Sequence, residues 1–328
     1  MSGSKEQQLW DACTSGNLES VKRLANDPTV DINWIGPERN DTPLHRACRF
    51  CHRPVAEVLL KHSKVNVNAG NAGKATPFSL ACQEGHQEIV SLLLGDLRID
   101  VNKLEKDDST PFFMACQQGH KEMVSLLLAD LRIDLNRPKK HRTTPLWIAA
   151  FAGHLPVVQF ILVSGREVNT KTKSIAGTMI WNDKTAPEVA WCQGTRPRLT
   201  DELEADYLTK KQNGPLIAAL LDSFDADSVT TRQQLRELPE LRDAFISDLF
   251  ALVVFLCDDL LTVRTESSPS SDTTKKAARF FQIAQSLPME LQMVLCSRVF
   301  GSSKDIVLTK HSEPAFKKLV ILLARTTR

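Results

Sequence analysis

The sequence has no surplus of charge, no apolar run in its opening residues, no membrane-length apolar run and none of the short motifs that accompany catalysis. Its 328 residues carry 41 Lys and Arg against 39 Asp and Glu, a formal net charge of +2. Residues 1–170 alone hold 20 basic and 19 acidic side chains. So even a balance creates no global field for nucleic acid, and any electrostatic partner must be met by local clusters. The opening MSGSKEQQ lacks the apolar core of a signal peptide. The most membrane-like stretch, Phe245–Leu261, contains Asp248, Asp258 and Asp259. Its clean apolar run falls well short of the roughly 20 residues a spanning helix needs. The expectation is a chain of the cytoplasm, the nucleus or both, without a membrane partner.

Chemistry is excluded in the same way. There is no glycine-rich phosphate loop, no GxSxG, no HExxH and no paired CxxC. The neighbouring Asp258 and Asp259 lie on an apolar helical pattern, where adjacent residues point in different directions, and read as its polar edge. No catalytic residue, metal, cofactor or small-molecule substrate is expected, and nucleic acid is not expected either. What the chain does have is a hydrophobic fraction of 42%, ample for buried cores, and one phrase said four times.

The copies TPLHRAC, TPFSLAC, TPFFMAC and TPLWIAA begin at Thr42, Thr76, Thr110 and Thr144, each 34 residues after the last. Three are followed by a glycine–histidine pair, Gly85-His86, Gly119-His120 and Gly153-His154. Each leads to an apolar run, VAEVLL, EIVSLLL, EMVSLLL or VVQFIL. In the copy from Ser109 to Leu128, Thr110 is placed to cap a helix and Pro111 sits where a missing N–H costs nothing. Ala115 and Cys116 are small where helices of adjacent copies must approach. Gly119 allows a turn that side chains resist. A second helix then carries the apolar stripe Met123, Val124, Leu126, Leu127 and Leu128. One unit cannot bury that stripe alone, so neighbours must stack.

A fixed period near 33 residues with a T-P-L-H-type start resembles the ankyrin repeat, over about residues 5–193. The resemblance implies an all-α solenoid of five to six helix-turn-helix repeats joined by short finger loops, within residues 1–198. Their expected bounds are about 5–33, a degenerate opening repeat, then 34–68, 69–102, 103–136 and 137–169, and an irregular 170–198. The last holds an insertion, KTKSIAGTMIWND, and its second helix is hard to place. An α-helical C-terminal domain follows: a cap or extension over 199–264, a polar linker at 265–275 and a helical segment at 276–328. In 199–238, DELEADYLTKK and PLIAALLDSF read as two amphipathic stretches, and a further helix begins at Ser228.

Cys13, Cys48, Cys82 and Cys116 recur at one register and act as small buried hydrophobes. Cys48, Cys51 and His52 spell CxxCH, but Cys48 is that small packing position and Cys51 stands where other copies have the turn glycine. No haem or metal is expected there. His52, His86, His120 and His154 recur once per copy, about 10 Å apart, too far to share a metal. The resemblance implies that they bond backbone at the turn. It also implies that the fourth letter of TPLH links adjacent repeats. His45 keeps that residue, but Ser79, Phe113 and Trp147 replace it, which puts the polar inter-repeat network in doubt.

The resemblance implies a non-enzymatic protein-interaction scaffold, with the partner along the fingertips and the inner surface of the first helices. Mapped onto this chain, that surface comprises Arg39, Asp41, Arg49 and Phe50, then Ala72, Gln83 and Glu84, then Lys106, Asp107, Gln117 and Gln118, then Lys140, His141 and Phe151. Phe50 and Phe151 sit where the fold asks for nothing large and apolar. The basic finger Arg137, Lys139, Lys140 and Arg142 is a candidate nuclear-import or phosphate-facing loop. A second function is a ubiquitin-ligase substrate adaptor with the tail as its box. Leu287-Pro-Met-Glu-Leu291 loosely resembles the opening of an F-box. A SOCS-type box would want leucine where Gln292 precedes Cys296 and Val253 precedes Cys257.

Overall fold

The computed structural model describes residues 3–175, 182–199 and 202–243, with isolated positions beyond at Ile246, Leu249, Phe250, Gln292, Met293 and Cys296. The linker at 265–275, and all of 276–328 except Gln292, Met293 and Cys296, lie outside the described residues. So does most of the box-like stretch at 287–300. Two compact units divide the chain, residues 1–231 and 232–328. The first is a helical stack. Among the described residues there are only helices, turns and loops, and no helix is long and apolar enough to cross a membrane.

Six pairs of helices repeat one design. The inner member of each pair is α1 (Lys5–Ser15), α3 (Pro43–Arg49), α5 (Pro77–Glu84), α7 (Pro111–Gln118), α9 (Pro145–Ala152) and α11 (Ala186–Thr195). The outer member is α2 (Leu18–Ala25), α4 (Arg53–Lys61), α6 (Gln87–Leu94), α8 (Lys121–Leu128), α10 (Leu155–Val163) and α12 (Glu204–Ala226). Each inner helix packs on the next inner helix and each outer on the next outer, giving two layers. A further helix, α13 (Ser228–Glu237), follows α12.

Threonine starts the inner helices for the reason its hydroxyl suggests. The Oγ1 of Thr76, Thr110 and Thr144 accepts from the backbone N–H of Ser79, Phe113 and Trp147, each at 3.1 Å. Behind them the core is continuous: Ile89, Val90, Leu93 and Leu94 of α6, then Met123, Val124, Leu127 and Leu128 of α8, are buried. Leu126 is only half-buried, at the edge of the expected stripe. Full burial of a leucine stabilises by about 1.5–3 kcal/mol, and each outer helix contributes several such residues.

Three ladders of side-chain-to-backbone bonds run between repeats. The histidine Nε2 atoms meet carbonyls of the preceding repeat: His52 to Thr14, His86 to Arg49, His120 to Gln83 and His154 to Gln117, at 2.8–3.0 Å. Gly119, at φ +76°, leaves room for this, since a Cβ there would lie 2.6 Å from the His154 ring. On the opposite edge Asn33, Asn68, Asn102 and Asn136 donate to the carbonyls of Lys64, Arg98, Arg132 and Glu167. Their Oδ1 atoms accept from the N–H of Asn66, Asp100, Asp134 and Asn169. Arg98 and Arg132, each fastened to an aspartate two residues earlier, reach back to the carbonyls of Leu60 and Leu94.

The sixth pair departs from the plan. α12 is one 23-residue helix that runs through Pro215, where the sequence reads as two separate stretches. It lies close against α11: a Cβ on Gly214 would fall 2.5 Å from the Ala190 carbonyl, and one on Gly194 would fall 2.4 Å from Pro215 Cδ. In place of a fifth ladder histidine, Asn213 Nδ2 donates to the Gly153 carbonyl at 2.8 Å. Thr170 Oγ1 donates to Asp225 at 2.5 Å. The connection before α12 is pinned by Glu202, which accepts from Arg196 at 2.6 Å and Lys210 at 3.0 Å.

Candidate partner-binding surface

Loops between the pairs form fingers at 34–41, 69–75, 103–109 and 137–143, and a fifth is described at 170–175 and 182–184. Each closes on itself and, in most cases, onto its neighbour. Ala72 N–H donates to the Arg39 carbonyl at 2.8 Å, Lys106 N–H to Gly73 at 2.8 Å, and Ile175 N–H to His141 at 2.7 Å. Between the third and fourth of these fingers an ion pair, Lys139 to Asp107, supplies a tie. Several tip residues adopt left-handed backbone despite having side chains: Arg39 at φ 55°, Lys74 at 61°, Asp108 at 63° and His141 at 69°.

Arg39, Ala72, Lys106, Asp107, Lys140 and His141 are exposed along this edge. Glu84, Gln117 and Gln118 are exposed at the ends of α5 and α7, with Gln83 and Arg49 half-covered beside them. The histidine ladder holds the backbone of this row, because Arg49, Gln83 and Gln117 are the residues whose carbonyls it grips. Side chains there project from a fixed frame.

Asp41 is a correction. Its side chain is fully buried and cannot touch a partner. It accepts from Asn71 Nδ2 at 2.9 Å and pairs with Arg49 at 3.3 Å and Arg46 at 3.7 Å, so it fixes the arginines from beneath. Arg46 lies between two rings, its guanidinium carbon 4.3 Å from the Trp10 centroid and 4.7 Å from that of Phe50. Phe50 remains 43% exposed on top of this stack. Phe151 is in a different setting. It stacks on Trp147 at 5.3 Å, and the Lys210 ammonium of α12 approaches its ring at 5.7 Å. Phe151 is therefore partly a contact within the fold.

The fourth-letter position also differs from expectation. His45 Nε2 bonds the Ala75 carbonyl at 2.9 Å, and burial holds its pKa below the usual histidine value. Trp147 makes the equivalent link through its indole N–H to Lys184 at 3.0 Å, and Trp10 does so to Asp41 at 2.8 Å. All three acceptors immediately precede the next threonine. Tryptophan restores a polar link that its apolar bulk conceals in the sequence. Phe113 does not; it is buried beneath the Lys139 ammonium. Cys48 is buried, Cys51 is exposed, and no cluster fit to hold a metal occurs among the described residues.

A family profile described as "Ankyrin repeats (3 copies)" matches residues 9–105 and 95–172, together half of the chain. The chain is a member of the ankyrin-repeat family. The human oxysterol-binding protein-related protein 1 is similar over 76 residues at 41% identity, which is 20% of this chain and 8% of that protein. The chain thus corresponds to a small part of that relative. Ankyrin membership supports a protein-protein interaction role in general.

Proposed function

We propose that this ankyrin stack is a non-enzymatic interaction scaffold whose protein partner lies across the fingertips and the C-terminal ends of the inner helices. The observation that carries the reading is the row of exposed side chains on a backbone clamped by the histidine ladder, with Phe50 exposed above a buried arginine–aspartate base. A partner meeting that row finds a surface already ordered, so little conformational entropy is lost on binding. Aromatic side chains flanked by arginine are frequent binding hot spots, costing about 2 kcal/mol or more on truncation. In this reading α12 closes the stack, covering the inner and outer helices of the fifth repeat.

Affinity capture followed by mass spectrometry, run with the natural chain and with variants Phe50→Ala and Gln117→Ala/Gln118→Ala, tests the proposal. A specific partner should be captured by the natural chain and depleted by the variants. Equal recovery by all three folded proteins would move the site away from this surface. Neutralising Lys139, Lys140 and Arg142 in a tagged chain separately tests nuclear import; an unchanged distribution removes that use of the loop.

A further inference from the structure

We infer that the fingertips at 38–40, 72–74, 106–108 and 140–142 dock an extended peptide segment carrying a carboxylate at about every third residue. The inference rests on the scaffold reading and states which chemistry the fingertip edge selects. Each of these fingers brings at least one cation to its tip: Arg39, then Lys74, then Lys106, then Lys140 and Arg142. All five are exposed, and each stands two to four residues before the threonine that opens an inner helix. None pairs with a carboxylate among the described residues. Most acids nearby are engaged elsewhere: Glu38 with Arg46 at 3.1 Å, Asp107 with Lys139, and Asp41 with Arg46 and Arg49 beneath the surface.

The tips are held in one line. Ala72 N–H donates to the Arg39 carbonyl and Asn71 Nδ2 to Asp41 Oδ1, which ties the first finger to the second. Lys106 N–H donates to the Gly73 carbonyl, and the Lys139–Asp107 pair ties the third finger to the fourth. The residue two before each threonine is wound into left-handed backbone: Asn40 at φ 57°, Lys74 at 61°, Asp108 at 63° and Arg142 at 60°. Each tip is thus a closed turn on a shared frame, and a ligand need not order a loop before meeting its cation. Equivalent positions recur about 10 Å apart along the stack. An extended chain covers about 3.3 Å per residue, so three residues match one repeat.

Interleaved acids decide against a continuous polyanion. Asp107 and Asp108 are exposed beside Lys106, in the middle of the row. A nucleic-acid duplex bears a charge about every 1.7 Å, and an anionic bilayer is a sheet of charge. Either one presses phosphates onto these carboxylates. A peptide with spaced acids sets its charges on the cations and its neutral residues over Asp107 and Asp108. An amphipathic helix fails for another reason. It needs an apolar floor, and the tip residues include no apolar side chain larger than that of Ala72. Complementary charge speeds the association of an acidic segment and excludes basic ones, with a marked dependence on salt.

In the test, the full chain selects peptides from a random display library. One selected peptide, a permutation of it with the acids gathered into one block, a double-stranded oligonucleotide and phosphatidylserine vesicles are measured against the natural chain. The selected peptide is also measured against Arg39→Glu/Lys74→Glu, Lys140→Glu/Arg142→Glu and Phe50→Ala variants. Enriched peptides should be net acidic, with acids recurring at a spacing of three. Either charge reversal should weaken the selected peptide by about tenfold or more, and Phe50→Ala should change it little. Permutation should weaken binding severalfold, and so should added salt; both measurements use the natural chain and hold whether or not a variant folds. No enrichment, enrichment without net acidity or without that spacing, or equal binding of the permuted peptide would overturn the inference. So would indifference to salt, indifference to charge reversal in variants that melt like the natural chain, as large a loss with Phe50→Ala, or tighter binding of the oligonucleotide or vesicles. A captured protein partner that still binds both charge-reversed chains, and is lost with Phe50→Ala, would leave the scaffold reading standing while removing this one.

Discussion

Cys51 shows what one residue costs in a repeat. Other copies place glycine at this turn, yet Cys51 adopts φ 59° with a side chain attached. Left-handed backbone costs a non-glycine residue roughly 1–2 kcal/mol. Cys51→Gly should therefore raise stability by about 1 kcal/mol, seen as a higher denaturation midpoint; an unchanged or lower midpoint would show that the turn is unstrained. Trp147 is the second case. Trp147→Phe keeps an aromatic ring but leaves the Lys184 carbonyl without its indole donor, and should cost about 0.5–1.5 kcal/mol. No loss would mean that the link contributes nothing net. The capping threonines, turn glycines and turn histidines were legible in the sequence because one residue type recurs at one spacing. Trp10 and Trp147 were not, because tryptophan at a histidine position looks like core until its N–H is seen to find a carbonyl. Asp41 was misread for a related reason: an acidic residue at a fingertip reads as exposed, and the two arginines that bury it lie on the following helix.

At the scale of elements, α12 is where sequence periodicity gave least. Proline at 215 reads as a break because it removes a backbone donor and crowds the preceding turn. The helix continues because Gly214 and Gly194 let α12 settle against α11, and Pro215 packs in that contact. Its anchor titrates. The Arg196 guanidinium, and then Lys210, hold the Glu202 carboxyl at about 2 against the opposing effect of burial. Its ordinary value is 4.5, so its stabilisation is present above that pH and is lost as pH falls from 4.5 toward 2. His45 and His154 work in the same direction at higher pH. Burial lowers both from 6.5, the unfolded chain takes up protons that the folded chain resists, and stability falls as pH drops below 6.5. Melting temperatures should thus decline in two stages on acidification, first below 6.5 and again below 4.5. Glu202→Gln should shrink the second stage without abolishing it, because ion pairs and hydrogen bonds also hold the carboxyls of Asp27, Asp96 and Asp107 below their ordinary values. A flat profile between pH 7 and pH 5 would contradict the histidine assignment.

Over the whole molecule, stability in a stack is shared between neighbours, and the last repeat needs a cover. α12 packs on α9, α10 and α11. A chain shortened to end at Asn169 loses α11 and α12 together, leaving buried residues such as Leu146, Trp147 and Leu162 at an open end. It should aggregate or melt well below the full chain. Equal solubility and stability would show that the stack ends without them and that the remainder is an independent unit. The six-pair architecture was readable up to the insertion because the period holds without slippage. The irregular sixth repeat was readable only in part: its outer helix was not, because α12 begins beyond the expected end of the repeat at 198 and carries no histidine.

The central claim is that the clamped row of finger and inner-helix side chains binds a protein. Its most direct test is the affinity of the captured partner for the natural chain and for Phe50→Ala. Arg49→Ala is the poorer probe, since it removes a partner from buried Asp41 and disturbs folding as well. Phe50 is 43% exposed and can be truncated with the melting temperature nearly unchanged. Binding should weaken by tenfold or more, about 1.4 kcal/mol. Undiminished affinity in a Phe50→Ala chain that melts like the natural one would place the partner elsewhere on the protein.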